Sequence, residues 1–136
     1  KHEDYQIDVE CEEFILVHMD VRLIIQVLVN LIDNAIKYTL PGSKICIRGI
    51  KKDGKAQISV ADNGPGISDE VKPHIFEMFY TGNNTIADSH RSLGLGLALC
   101  RSIIEAHGGT LVLTDNIPRG CIFTFTLPLS EVILNE

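Results

Sequence analysis

The 136-residue sequence predicts an α+β sandwich, one mixed β-sheet with helices packed on one face. Three observations carry that reading. Residues 21–38 hold apolar side chains at three- and four-residue spacing, the period of an amphipathic helix. Two strand-like runs, 44–50 and 56–61, meet across Asp53-Gly54, a strong hairpin signal. A second helical pattern, about 94–107, lies ahead of two more strand-like runs.

Taken in order, residues 5–9 alternate polar and apolar types and read as a short strand, and 13–18 read as a second. Asp20 is placed to cap the first helix, whose stripe of Ile24, Val27, Leu28, Leu31, Ala35 and Ile36 is a candidate core face. Leu40-Pro41-Gly42 stops it. After the hairpin, Asp62-Asn63-Gly64-Pro65-Gly66 reads as a loop, and Ser68 as the cap of a short helix beginning at Asp69-Glu70. Residues 80–93 are polar and aperiodic, too long for an ordinary connection and suited to a lid. Gly108-Gly109 ends the second helix, and 110–114 and 121–127 form strands joined by a turn at 116–120.

Composition narrows the function. The length suits one domain, and 45% hydrophobic with 22% charged residues is the balance of a globular protein. Arg22, Gln26, Asn30 and Asp33 interrupt the longest apolar stretch, so no membrane span is expected. Nor is a signal peptide, since no basic-then-apolar segment opens the chain. A start at Lys1 rather than Met suggests a piece of something longer, whose parent could be membrane-anchored. Cys11, Cys46, Cys100 and Cys121 form no CxxC pair and read as reduced thiols in a cytosolic protein. A net charge of −6 disfavours a nucleic-acid partner and requires a metal or a few local cations to hold any anionic ligand.

Three constellations could carry chemistry. Asn30, Asn34 and Lys37 fall within about 60° of one helical face. They form either a solvated edge or a stripe facing a ligand, with the Asn34 carbonyl oxygen offered to Mg²⁺ and Lys37 to phosphate. Asp62, at a strand end, could accept a hydrogen bond from an exocyclic amine such as that of adenine. Glycines then let the backbone pass near a flat ring, although an ordinary tight turn has the same composition. Ser92-Leu93-Gly94-Leu95-Gly96-Leu97 leads into a helix whose free N–H groups could bind an anion. A dinucleotide fingerprint lacks its third glycine, where Leu99 stands, and no P-loop is present.

In order and spacing, these segments resemble the boxes of the Bergerat-type ATP-binding fold shared by histidine kinases, type II topoisomerases, heat-shock chaperones and MutL. Residues 26–39 (Gln-Val-Leu-Val-Asn-Leu-Ile-Asp-Asn-Ala-Ile-Lys-Tyr-Thr) resemble the histidine-kinase N box, 62–67 the G1 box, 75–80 the F box and 94–97 the G2 box. The likeness runs from about residue 5 to residue 129. It implies Asn34 as the Mg²⁺ ligand, Asn30 and Lys37 at the triphosphate, and Tyr38 near the adenine or ribose. Asp62 would read adenine N6, with Gly64, Gly66 and Ile67 shaping the base pocket. Gly94, Leu95, Gly96 and Leu97 would close on the phosphates, and Phe79, with Phe76, would anchor the lid. Hydrolytic relatives carry a glutamate where this chain has Asn30, and an amide cannot take a proton from water, so the resemblance implies phosphoryl transfer.

Two departures stand out. Met78 and Thr81 occupy positions where such kinases often carry Arg, and Ser92 replaces a first G2 glycine, which leaves Arg91, with His90 beside it, for the γ-phosphate. Thr81-Gly82-Asn83 and Leu99-Cys100-Arg101 are similar to potassium- and turgor-responsive sensor kinases of the KdpD type. None of His2, His18, His74, His90 and His107 lies in a phosphoacceptor motif. The expected protein is therefore the cytosolic ATP-binding half of a histidine kinase. Its ligands would be ATP and Mg²⁺, and its partners an upstream phosphoacceptor-histidine dimerisation domain and a response regulator. An anti-sigma-type serine kinase and a degenerate fold that only binds partners share the same boxes.

Overall fold

The computed structural model describes residues 6–11, 19–37, 39, 41–77 and 96–129. Strand β1 spans Gln6–Cys11, helix α1 Val21–Lys37, strands β2 and β3 Lys44–Lys52 and Lys55–Asp62, helix α2 Gly96–Ala106, and strands β4 and β5 Leu111–Asp115 and Cys121–Pro128. The five strands form one sheet in the order β1-β2-β3-β5-β4. β1 runs parallel to β2, and every other pairing is antiparallel, which makes the sheet mixed as expected. The expected strand at 13–18 lies outside the described residues.

The α1 stripe buries Ile24, Val27, Leu31 and Ala35, and α2 buries Ala98, Cys100, Ile103 and Ile104. All of these but Ala98 join Ile45, Ala56, Val60 and Leu111 in one cluster with Cys121, Phe123, Phe125 and Leu127 of β5, whose alternate residues all point to the helices. The Asp53-Gly54 hairpin forms with φ of 56° and 77°, the positive values that a tight two-residue turn needs.

Helix ends follow from local chemistry. Asp20 Oδ1 accepts from the N–H groups of Arg22 at 3.1 Å and Leu23 at 3.3 Å, the expected cap. His107, just past α2, ties that cap to the far side of the helix layer. Its Nε2 accepts from Asp20 N–H at 3.0 Å and its Nδ1 donates to Ile103 O at 2.8 Å.

The short helix expected from Asp69 needs correction. Ser68 Oγ does accept from Val71 N–H at 3.3 Å, but only a 3₁₀ turn, Lys72–His74, follows. Pro73 has no N–H to bond back to residue 69, so an α-helix cannot propagate there. The observed α2 starts at Gly96, with 94 and 95 outside the described residues. β3 includes Asp62, which is therefore a strand residue and not the first residue of the loop.

Candidate functional site

Asp62 owes its position to strand periodicity. Ala56 and Val60 face the helices, so the same alternation turns Asp62 inward, and the residue is only 7% exposed. Oδ1 accepts from Gly64 N–H at 2.9 Å and from Cys121 N–H at 3.3 Å. No described residue donates to Oδ2, which leaves that oxygen able to accept from a ligand amine. Burial holds the carboxyl above the usual carboxylate range, and the two N–H groups only partly offset this.

The loop after Asp62 touches the end of the first helix. Thr39, itself buried, donates from Oγ1 to Ala35 O at 2.8 Å, and its Cγ2 lies where a Cβ on Gly64 would have to go. Gly64 is thus required by space. Gly66 has φ of 86°, and Ile67 packs against the core cluster.

On α1, Asn30 and Asn34 are half-buried. Asn30 Nδ2 donates to Cys100 Sγ at 3.7 Å, and the thiol donates to Val27 O at 3.8 Å. Burial pushes the Cys100 thiol up to about 11 despite the Asn30 contact, so it stays protonated and packs as a neutral group. The Asn34 amide makes no hydrogen bond among the described residues. Lys37 is the last residue of α1, but its side chain lies outside the description, as do Tyr38, Phe79, Arg91, Gly94, Leu95 and the expected lid at 80–93.

Thr39, just past α1, lies against Gly64, and Asn30 of α1 meets Cys100 of α2. Gly96 opens that helix, and Leu97 packs on the core. Phe76 stacks edge-on to Phe123, with centroids 6.0 Å apart, and the Arg101 guanidinium lies 5.4 Å from its centroid.

Several contributors were not singled out from the sequence. Asn116 Nδ2 donates to Asp62 O at 2.7 Å, and Gly120 presses on that same carbonyl so closely that a Cβ there would overlap it. Lys72 bridges Asp69 at 2.9 Å and Asp115 at 2.6 Å, which raises its own pKa and lowers that of Asp69. The only signal for Asn116 and Gly120 was turn composition.

Among the described residues, no group of three or more His, Cys, Asp or Glu side chains could hold a metal. A magnesium ion would fit the alternative arrangement, with one neutral amide oxygen from Asn34 and the remaining ligands from phosphate and water. No helix of the described residues is long and apolar enough to cross a membrane.

Comparison with known proteins agrees with this geometry. Residues 19–131 match the family described as histidine kinase-, DNA gyrase B-, and HSP90-like ATPase. The sensor protein KdpD of Clostridium acetobutylicum is 44% identical over 117 residues, covering 86% of this chain and 13% of that protein. The adaptive-response sensory kinase SasA of Crocosphaera subtropica is 44% identical over 115 residues, covering 83% of this chain and 29% of that protein. The chain thus spans less than a third of either relative. The catalytic domain of histidine kinase ThkA superposes with a TM-score of 0.79 at 36% identity, covering 92% of this chain and 80% of that one. ThkA in complex with the response regulator protein TrrA superposes with a TM-score of 0.75 at 35% identity, covering 93% of this chain and 34% of that one. The chain belongs to the histidine kinase-, DNA gyrase B- and HSP90-like ATPase family, and within it to the catalytic domains of sensor histidine kinases.

Proposed function

We propose that the chain binds Mg-ATP and presents its γ-phosphoryl group to a histidine on a separate dimerisation domain of a longer parent protein. The observation that carries this reading is Asp62, an inward-facing carboxylate with one oxygen anchored by two backbone N–H groups and the other able to accept from adenine N6. Gly64, Gly66 and Ile67 shape the base pocket and Tyr38 borders it. Asn34 is the protein ligand of Mg²⁺, whose charge would neutralise the phosphates. Asn30 and Lys37 position the triphosphate. Residues 80–93 act as the lid, anchored by Phe79, with Arg91 toward the γ-phosphate and Gly94, Leu95, Gly96 and Leu97 closing behind it.

In the transfer, a histidine nitrogen attacks the γ-phosphorus, the bond to the β,γ-bridging oxygen breaks, and ADP leaves with the electron pair. This chain orients and shields those atoms. Asn30 supplies no general base, which favours transfer over hydrolysis. The phosphohistidine would then be consumed by a response-regulator aspartate. The ThkA complex with TrrA supports such a partner. ATP and a regulator share the cytosol, so this domain acts there even if the parent is membrane-anchored.

Titration calorimetry with ATP and Mg²⁺ tests the site. Asn34→Ala and Asp62→Ala are both expected to bind Mg-ATP more weakly, and wild-type affinity in both would refute the assignment. Labelled ATP with a supplied dimerisation and phosphoacceptor domain tests the reaction. An acid-labile phosphohistidine is expected, and an acid-stable phosphoserine would point instead to a serine kinase.

A further inference from the structure

We infer that Asn116, on the turn between β4 and β5, is a positioning residue that sets the base selectivity of the site by holding Asp62 in place. The inference rests on the reading of Asp62 as the partner of the adenine amine. Asp62 is the last residue of β3, paired with Ile45 of β2 but beyond the last pairing with β5 at Ala61, so the β5 side of the sheet does not fix its peptide plane. The neighbouring turn supplies what is missing. Asn116 Nδ2 donates to Asp62 O at 2.7 Å, a short bond to a half-buried side chain. Gly120 closes on the same carbonyl from the other end of the turn, and Cys121 N–H holds the carboxylate oxygen Oδ1 at 3.3 Å. Main chain and side chain of Asp62 are therefore both held from one turn.

That turn is itself braced. Asn116 N–H donates to Gly120 O at 2.9 Å, and Asn116 Oδ1 accepts from Ile117 N–H at 2.8 Å. With oxygen and nitrogen both engaged, the Asn116 amide has one consistent orientation. One residue earlier, Asp115 is pinned by Lys72 from the segment that follows the base-pocket loop. The brace therefore links Asp62 to the segment that follows the base-pocket loop, and Asn116 is the side chain that reaches the Asp62 main chain. Displacing a hydrogen-bonding group by a fraction of its bond length weakens recognition of the atom it reads without changing contacts elsewhere on the ligand.

The test compares two ligands: ATP, and purine riboside triphosphate, which lacks the 6-amino group. Binding of each is titrated to the wild-type chain, Asn116→Ala and Asn116→Asp. Asn116→Asp keeps the acceptor for Ile117 N–H, loses the donor and sets a negative charge against the Asp62 carbonyl. The wild type should prefer ATP by roughly 10–100-fold, the range for one hydrogen bond to a charged group. Both variants should lose at least threefold of that preference while the affinity for the 6-unsubstituted analogue changes less. Melting temperatures measured without nucleotide confirm that the variants are folded. Equal loss of affinity for both ligands would make Asn116 merely structural and overturn the proposal, as would an unchanged preference in Asn116→Asp. If the wild type itself does not discriminate, the reading of Asp62 fails, and the role assigned to Asn116 falls with it.

Discussion

The two ends of the candidate site are built differently. At the base end, Asp62 is met by Gly64, Cys121, Asn116 and Gly120, and every one of these contacts is complete without a ligand. On the phosphate side, Asn34 has no hydrogen bond among the described residues, and Asn30 has a single long one to a thiol. In the proposed reading, the first is a preformed recognition element, and the second offers polar atoms that the metal and triphosphate would satisfy. A flat, uncharged base rewards a rigid pocket, whereas a metal and a triphosphate bring ligands and charge of their own.

That contrast is open to attack, most forcefully at Asp62. Asp62→Asn keeps an acceptor for the two backbone N–H groups but turns a carboxylate into an amide, and ATP affinity should fall about 30–100-fold by calorimetry. Stability should move the other way. A carboxyl whose pKa is raised by folding destabilises the folded state once ionised. The penalty is absent below the ordinary value of 3.8 and full above the raised one. Asp62→Asn should therefore melt a few degrees higher at pH 7, and the gain should vanish as pH falls through the raised pKa. A variant that melts lower at pH 7 would show that the ionised carboxylate holds the fold together.

Asn34 should behave in the opposite sense. Asn34→Ala is expected to weaken Mg-ATP binding about tenfold, leave metal-free nucleotide binding unchanged, and shift stability by less than about 0.5 kcal/mol. A large drop in melting temperature would mean that the amide is tied into the fold. At Gly64 the pocket is tight, and Gly64→Ala should cost about 1–3 kcal/mol by overpacking against Thr39. Adding Thr39→Ser, which removes the opposing methyl, should return most of that, and simple additivity in denaturant titrations would argue against direct contact. The smallest effect is expected far from both ends, where Asp20→Ala removes the α1 cap at about 1 kcal/mol with nucleotide affinity intact.

Legibility followed the range of the interactions. The α1 stripe, the Asp20 cap and the Asp53-Gly54 hairpin depend on neighbours a few residues away, and each was readable. Pro73 is equally local, and it confines the Ser68 cap to a 3₁₀ turn. What could not be read was long-range. Cys121 N–H reaches a carboxylate 59 positions earlier, and Asn30 meets a thiol 70 positions later. Only the strand order β3-β5-β4 brings the 116–120 turn beside Asp62.

The imidazole of His107 has a consequence for how the two helices move. It accepts the amide proton of the residue that begins α1 while bonding the carbonyl of a residue near the end of α2, across 87 positions of sequence. The opening of one helix is thereby keyed to the closing of the other. The Asp20 amide, in an exposed segment where deuterium would otherwise enter freely, becomes a gauge of that register. Its exchange should speed up as soon as α2 slides or frays, before the core between the helices admits any solvent.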